Sequence, residues 1–244
     1  MNDSTAPRPL YDALTTLAET PDDVSSINEA LVWIASLVAA LVSPVDYASV
    51  TAQRTGVLTT VATTHETALA VDEAQYAEQS GPCLDALEQG IPLAADIATT
   101  MTWPGFRAAA HSLGLQASLS IPLFAGSGHP IAALNLYARD ATALAPLTKA
   151  MVTIFDAHQH EMPGEASEDR SHRWMLDAGS AQLLSGVDEA LAIQQQIQVA
   201  IGILMQRERL TADAAYLTLR DRAASSGSTF REVAAAVVAR ITQE

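Results

Sequence analysis

From Leu176 to Leu204 the chain keeps one spacing: Leu176, Ser180, Leu183, Val187, Ala190, Gln194, Ile197, Ile201 and Leu204 alternate at intervals of four and three. A 4-3 spacing held over four heptads marks a helix with a narrow apolar seam, and such a seam has to be covered. The pattern predicts one long helix from about Trp174 to about Glu208, weakened in its first half by Gly179 and Gly186. Read as a coiled coil, it pairs with a second copy of the chain along Leu183, Val187, Gln194, Ile197 and Ile201, giving a homodimer. Gln194 would then bond its twin across the seam and fix the register at some loss of stability.

Upstream the period changes. Helical spacing runs from Leu10 to Thr20 and from Val24 to Val42, where Pro44 stops it. The stretches 45–53, 57–63, 117–124 ("ASLSIPLF") and 131–138 ("IAALNLYA") read as strands, and the last two, separated by Gly126-Ser127-Gly128, as hairpin partners. Between the early and late strands lie a short helix at Cys83 and another over "WPGFRAAAHSLG", and helix resumes from Pro146 to His160. The fold class is therefore α+β, an antiparallel sheet flanked by helices, followed by the long helix and a helical tail. In that tail Thr211 caps one short helix and "TFRE" (229–232) forms a capping box for the next. The stripe Phe230, Val233, Val237 and Ile241, facing Tyr216 and Leu217, closes a three-helix bundle. The expected organisation is a loose tail (1–9), a domain (10–160), a polar linker (161–172), the start of the long helix (173–182) and the bundle (183–244).

Composition narrows the function. The net charge is −15. Residues 1–182 carry 7 Lys+Arg against 21 Asp+Glu, whereas residues 183–244 carry 6 against 7. All six of those arginines fall in the last sixth of the chain, so that is where a polyanion would be met. The longest apolar run, 31–42, is too short to cross a bilayer, no secretory signal is read at the start, and one cysteine excludes an intrachain disulfide; a cytoplasmic protein is expected.

Cys83 follows Gly81-Pro82 and should lie in the first turn of its helix, where the helix dipole can activate a thiol. Its spacing to Ala86 and Leu87 favours a buried, structural role instead, and that is the expectation here. Trp103 and Phe106, with Cys83, are candidates to line a small-molecule pocket; Trp33 is a weaker one. His158, His160, Glu161 and His172 lack ligand spacing, so no metal is expected, and phosphate-loop, nucleotide-fold and serine-elbow signatures are absent.

Two stretches resemble known modules. "VDEAQYAEQSGPCLDALEQGIPLAADI", "WPGFRAAAHSLGLQASLSIPL" and "AALNLYA" resemble the GAF domains of actinobacterial regulators, and residues 196–238 are similar to the ANTAR domain. Ala200, Gly202, Leu204, Met205 and Arg207 match the "A-x-G-x-L-M-x-R" element, and Thr211, Ala215, Leu219, Arg220, Ala223, Val233 and Ala234 match the remainder of that module. Gln194, Val199 and Ile201 stand where the family commonly shows arginine, glutamine and lysine. The resemblance implies a transcription antitermination regulator whose GAF sensor controls an ANTAR domain that binds two hairpins in a leader RNA. The implied RNA contacts are Arg207, Arg220 and Arg231, with Arg209 and Arg222 beside them. It implies no catalysis and no fixed cofactor, although GAF pockets take small molecules; contact with RNA polymerase is compatible and marked by no residue. Two other classes fit less well: a dimer whose tail binds a protein partner, and a GAF reductase using Cys83, which has no resolving cysteine.

Overall fold

The computed structural model describes residues 7–22, 26–54, 56–160 and 175–240. Two helices open it, α1 (Pro9–Glu19) and α2 (Ile27–Leu41), and a hairpin of β1 (Tyr47–Arg54) and β2 (Val57–Thr63) comes next. After it lie α3 (Glu66–Glu78), α4 (Pro82–Gln89), β3 (Leu93–Asp96) and α5 (Pro104–Ser112). The hairpin β4 (Ala117–Phe124) and β5 (Pro130–Ala138), then α6 (Ala141–His160), complete the first domain. The chain ends in α7 (Ala178–Glu208), α8 (Ala212–Ser226) and α9 (Phe230–Ala239). The expected linker at 161–172, Trp174 and Ile241 lie outside the described residues.

The sheet order is β2-β1-β5-β4-β3, antiparallel throughout. Period-2 alternation sends its side chains to two unlike faces. Ala48, Val50, Leu119, Ile121, Leu123, Leu134 and Leu136 enter one aliphatic core with α1, α2, α6 and the first half of α7. Ser49, Thr51, Ser118, Ser120, Asn135 and Tyr137 turn to the opposite face, beneath α3, α4 and α5, and are buried there too.

The long helix starts later than its apolar spacing suggested. Asp177 accepts from the N–H groups of Gly179 and Ser180 and so caps α7. Gly179 and Gly186 are sites of close approach: a Cβ at Gly179 would meet the Leu41 carbonyl, and one at Gly186 would lie 2.8 Å from Leu14 Cδ1. The seam itself is occupied within the chain. Leu183, Leu184, Val187 and Leu191 pack into the sheet core, and Ile193, Ile197, Ala200, Ile201 and Leu204 pack into a second core. Ala215, Leu219 and Ala223 of α8, Phe230, Ala234 and Val237 of α9, and Ala18 of α1 complete that second core. Leu217, expected inside the bundle, is 43% exposed; Leu219, two positions on, takes its place.

Gln194 is also corrected. Its Nε2 donates to the Gly128 carbonyl at 2.7 Å, in the turn of the β4–β5 hairpin, so its partner lies within its own chain. The residues expected to form a dimer seam are covered within the chain: periodicity reports that a stripe has to be covered, and here α1, α2, α8 and α9 cover it. Replacing Gln194 by Leu strands a half-buried carbonyl. The expected outcome in chemical denaturation is a loss of about 1 kcal/mol with no change of oligomeric state by light scattering.

Candidate functional site

The arginines of the bundle divide into two groups. Arg207 and Arg209 are exposed at the C-terminal end of α7, where Arg209 adopts the left-handed conformation (φ 54°) that ends the helix. Arg222 on α8 reaches the same end, since its Nη2 lies 2.6 Å from Glu208 Oε1. Arg220, on the same helix, has Nη2 3.4 Å from Asp221 Oδ1. Arg231 lies elsewhere. Its Nη1 is 2.6 Å from Glu189 Oε1, and eighteen residues of helix put Glu189 about 27 Å along α7 from Arg207. Burial raises the Glu19 carboxyl above its ordinary range while Arg231 opposes the rise, so Arg231 sits among Glu19, Glu189 and Glu232. The structure therefore gathers Arg207, Arg209 and Arg222 at one end and separates Arg231 from them.

The positions that depart from the ANTAR pattern face inward. Gln194 bonds Gly128, Ile201 is 5% exposed in the bundle core, and Val199 lines a space between α7 and the β4–β5 turn. That turn is held from several sides: Gln198 Nε2 donates to the Ser127 carbonyl at 2.6 Å, the Ser127 N–H donates to Asp22 Oδ1 at 2.8 Å, and the Gly126 N–H donates to the Thr20 carbonyl at 2.9 Å. Tyr216 of α8 accepts from the Asp22 N–H at 3.1 Å, and a Cβ at Gly126 would lie 3.4 Å from the ring of Phe230. Bundle and sheet domain thus share one junction.

Beneath α3 and α4 the polar sheet face forms a closed network. Asp72 is fully buried and accepts from Tyr137 Oη at 2.5 Å, Thr60 Oγ1 at 2.9 Å and Asn135 Nδ2 at 3.3 Å. Burial pushes its carboxyl up to about 6, against the lowering effect of these hydrogen bonds. Gln75, one turn along α3, donates to Tyr137 Oη at 3.2 Å and accepts from the Cys83 N–H at 3.0 Å. Cys83 itself is fully buried, and burial together with the Asp72 charge drives its thiol far above the ordinary range, opposite to what a nucleophile needs. Ser118 Oγ, Ser120 Oγ and Asn135 Oδ1 are buried in the same layer without a hydrogen-bond partner.

The aromatic candidates Trp103 and Phe106 pack in a hydrophobic cluster with Val71 and Ile97. Phe106 is fully buried and meets Trp103 edge-to-face at 6.4 Å, while Trp103 Nε1 donates to Asp85 Oδ2 at 2.8 Å. Trp33 is 56% exposed on the opposite side of the sheet. His158 Nε2 pairs with Asp188 Oδ1 at 2.7 Å and His160 Nδ1 with the Asp156 carbonyl at 2.7 Å; Glu161 and His172 lie outside the described residues. Sequence reasoning missed Asp72, Gln75 and the serines. The available signal was pairs of polar residues two apart, Ser118 and Ser120 in "ASLSIPLF" and Asn135 and Tyr137 in "IAALNLYA", joined to Asp72 and Gln75 at helical spacing.

Comparison with known families accounts for most of the chain. Residues 25–156 match the model of the GAF domain and residues 186–238 that of the ANTAR domain. No curated protein matches. Among solved structures, the chain is similar at 15% identity to the type II free methionine-R-sulfoxide reductase of Thermoplasma acidophilum, covering 58% of this chain and 89% of that one (TM-score 0.37). It is similar at 10% identity to the nlh2 GAF domain of A. aeolicus in an inactive state, covering 78% and 94% (TM-score 0.39).

The buried carboxyl makes a testable statement about stability. Asp72 keeps its proton in the folded chain up to about pH 6, while an unfolded aspartate loses it near its ordinary value of 3.8. Stability from this group is thus fully present below that value and is lost as pH rises through the window, by about 3 kcal/mol in total. Denaturation of the wild type and of Asp72→Asn across pH 4 to 7 should show curves that diverge by that order and run parallel above pH 6. Parallel curves throughout would show that Asp72 is not the titrating group.

Proposed function

Because the chain belongs to the GAF family and carries an ANTAR domain at its C-terminal end, we propose that it is a transcription antitermination regulator in which the GAF domain governs RNA binding by the bundle. The observation that carries this reading is the conjunction of the two domains on one shared helix, with Arg207, Arg209 and Arg222 gathered at that helix's far end. Arginine suits the task because its planar fork grips phosphate bidentately and stacks on unpaired loop bases. Arg220, two residues from Arg222, projects from another side of α8 beside Asp221. Arg231 is withdrawn from the group by position, since its pairing with Glu189 puts it about 27 Å along α7 from Arg207.

A leader RNA with two hairpins offers sites to two bundles, so a second copy would raise affinity through effective concentration. With the α7 stripe filled, self-association has to use a surface outside Leu183, Val187, Gln194, Ile197 and Ile201. The reading includes no catalytic step, and the buried, high-pKa Cys83 supports that. Its site of action is the cytoplasm, where a leader transcript is made. Among the described residues no helix is long and apolar enough to cross a membrane.

Titrating a labelled two-hairpin RNA with the full chain tests the proposal. The chain should bind it more tightly than an unstructured RNA of equal length, with an affinity that falls steeply with salt, by about 0.7 log unit per log unit for each phosphate contacted. Arg207→Ala and Arg222→Ala should each weaken binding severalfold, while Arg231→Ala should leave it nearly unchanged. Equal affinity for both RNAs at about 0.1 M salt would reject RNA recognition and favour a tail that binds a protein partner.

A further inference from the structure

Between α7 and the sheet domain lies a cavity of about 550 Å³, in the size range of small-molecule sites. Its floor is apolar and well buried: Phe124 is 8% exposed, Phe155 3% and Leu191 5%. Its walls are rich in amides. Gln194, Gln195 and Gln198 enter from α7, Gln89 from the end of α4 and Gln159 from the end of α6.

The three glutamines of α7 are fixed in orientation. Each spends its Nε2 on a backbone carbonyl: Gln194 on Gly128 at 2.7 Å, Gln195 on His158 at 2.8 Å and Gln198 on Ser127 at 2.6 Å. Each amide retains Oε1 as an acceptor and the second N–H of Nε2 as a donor. Glu88 adds a carboxylate at the open rim, and the basic side chains of the described lining are His129 and His158, with neither lysine nor arginine among them. The ring of His158 is already engaged with Asp188 Oδ1 at 2.7 Å.

The Glu88 carboxylate sets a preference for positive charge, the amide oxygens accept from N–H donors, and the aromatic floor favours an apolar body. A cation above Phe gains further from the ring quadrupole. An anion is disfavoured, because Glu88 repels it in a chain of net charge −15 and neither lysine nor arginine is among the described lining residues to offset that. We propose that this cavity is a binding site for an organic cation, an aromatic or alkyl amine, held between the GAF domain and the first helix of the ANTAR domain. The site stands on its own lining and does not require that the bundle bind RNA. A molecule seated there touches Gln194, Gln198 and Val199 of α7 together with the β4–β5 turn, and stabilises whichever arrangement of the two domains forms the site.

Calorimetric titration of the full chain with tryptamine, spermidine and indole-3-acetate tests this. Tryptamine or spermidine should bind saturably at one site per chain, and indole-3-acetate, which shares the ring but reverses the charge, at least tenfold more weakly. Val199→Trp, which fills the cavity, should abolish amine binding. Glu88→Gln, at an exposed position that leaves the fold intact, should weaken it about fivefold, the upper end for a partly exposed ion pair. Three results would each overturn the proposal: no binding of either amine below about millimolar concentration, equal binding of amine and indole-3-acetate, or amine binding unchanged in both variants.

Discussion

One helix belongs to two hydrophobic cores, and the rest of the molecule depends on that. The upper half of α7 closes the aliphatic side of the sheet through Leu183, Leu184, Val187 and Leu191. Two residues later Ile193 opens the series that closes the bundle. No hinge-forming glycine or proline stands between them. Protein interiors are packed too tightly to let a helix slide in one core while it stays fixed in the other. A displacement of α7 caused from the sheet side therefore arrives at the bundle as a rigid movement, and α1, which gives Leu10, Leu14 and Leu17 to one core and Ala18 to the other, has to move with it.

The sheet divides its work between its faces. One face is aliphatic and supplies stability. The other buries hydroxyls, amides and the Asp72 carboxyl, and burying such groups costs free energy unless every hydrogen bond is made. Three atoms of that layer, Ser118 Oγ, Ser120 Oγ and Asn135 Oδ1, make none. The layer is held shut by Trp103, Phe106 and Ile97, which pack with Val71 of α3 and bring no compensating donors. Stability from the aliphatic face is what allows such a layer to persist.

The strands, the β4–β5 hairpin, the Cys83 helix and the capping box at Thr229 were legible because each rests on local chemistry: alternation, a glycine turn, proline at a first helical position, and two reciprocal hydrogen bonds. Helix α3 was not. Its buried residues are Ala68, Val71, Asp72 and Gln75, so half of its inward face is polar and no apolar period announces it. The short strand β3 is read only through its pairing with β4. The partner of the α7 stripe was missed for a different reason. Spacing tells that a stripe exists, and only the rest of the chain decides whether a second copy or the chain's own helices cover it. Arg231 obeys the same logic, since counting charges along the sequence does not reveal that the fold brings it to Glu189.

These placements change how an acidic domain acts on the arginines. From composition alone, the excess of carboxylates in the first 182 residues suggests that they repel RNA directly. The geometry weakens that idea. The junction bonds at Gln198 and Gln194 lie about 14 and 20 Å along α7 from Arg207, and Glu189 lies about 27 Å from it. At about 0.1 M salt the screening length is roughly 10 Å, so exposed carboxylates at the junction exert little force at the arginine end. A displacement that starts in the sheet domain would reach the arginine end through the helix, not through the field. The β4–β5 turn is the contact suited to start it, because its backbone is bonded at once to α7, to Asp22 and to Thr20. Gln194 and Val199 lie on the face that α7 turns toward the sheet domain, and Arg207, Arg209 and Arg222 stand at the helix end beyond it.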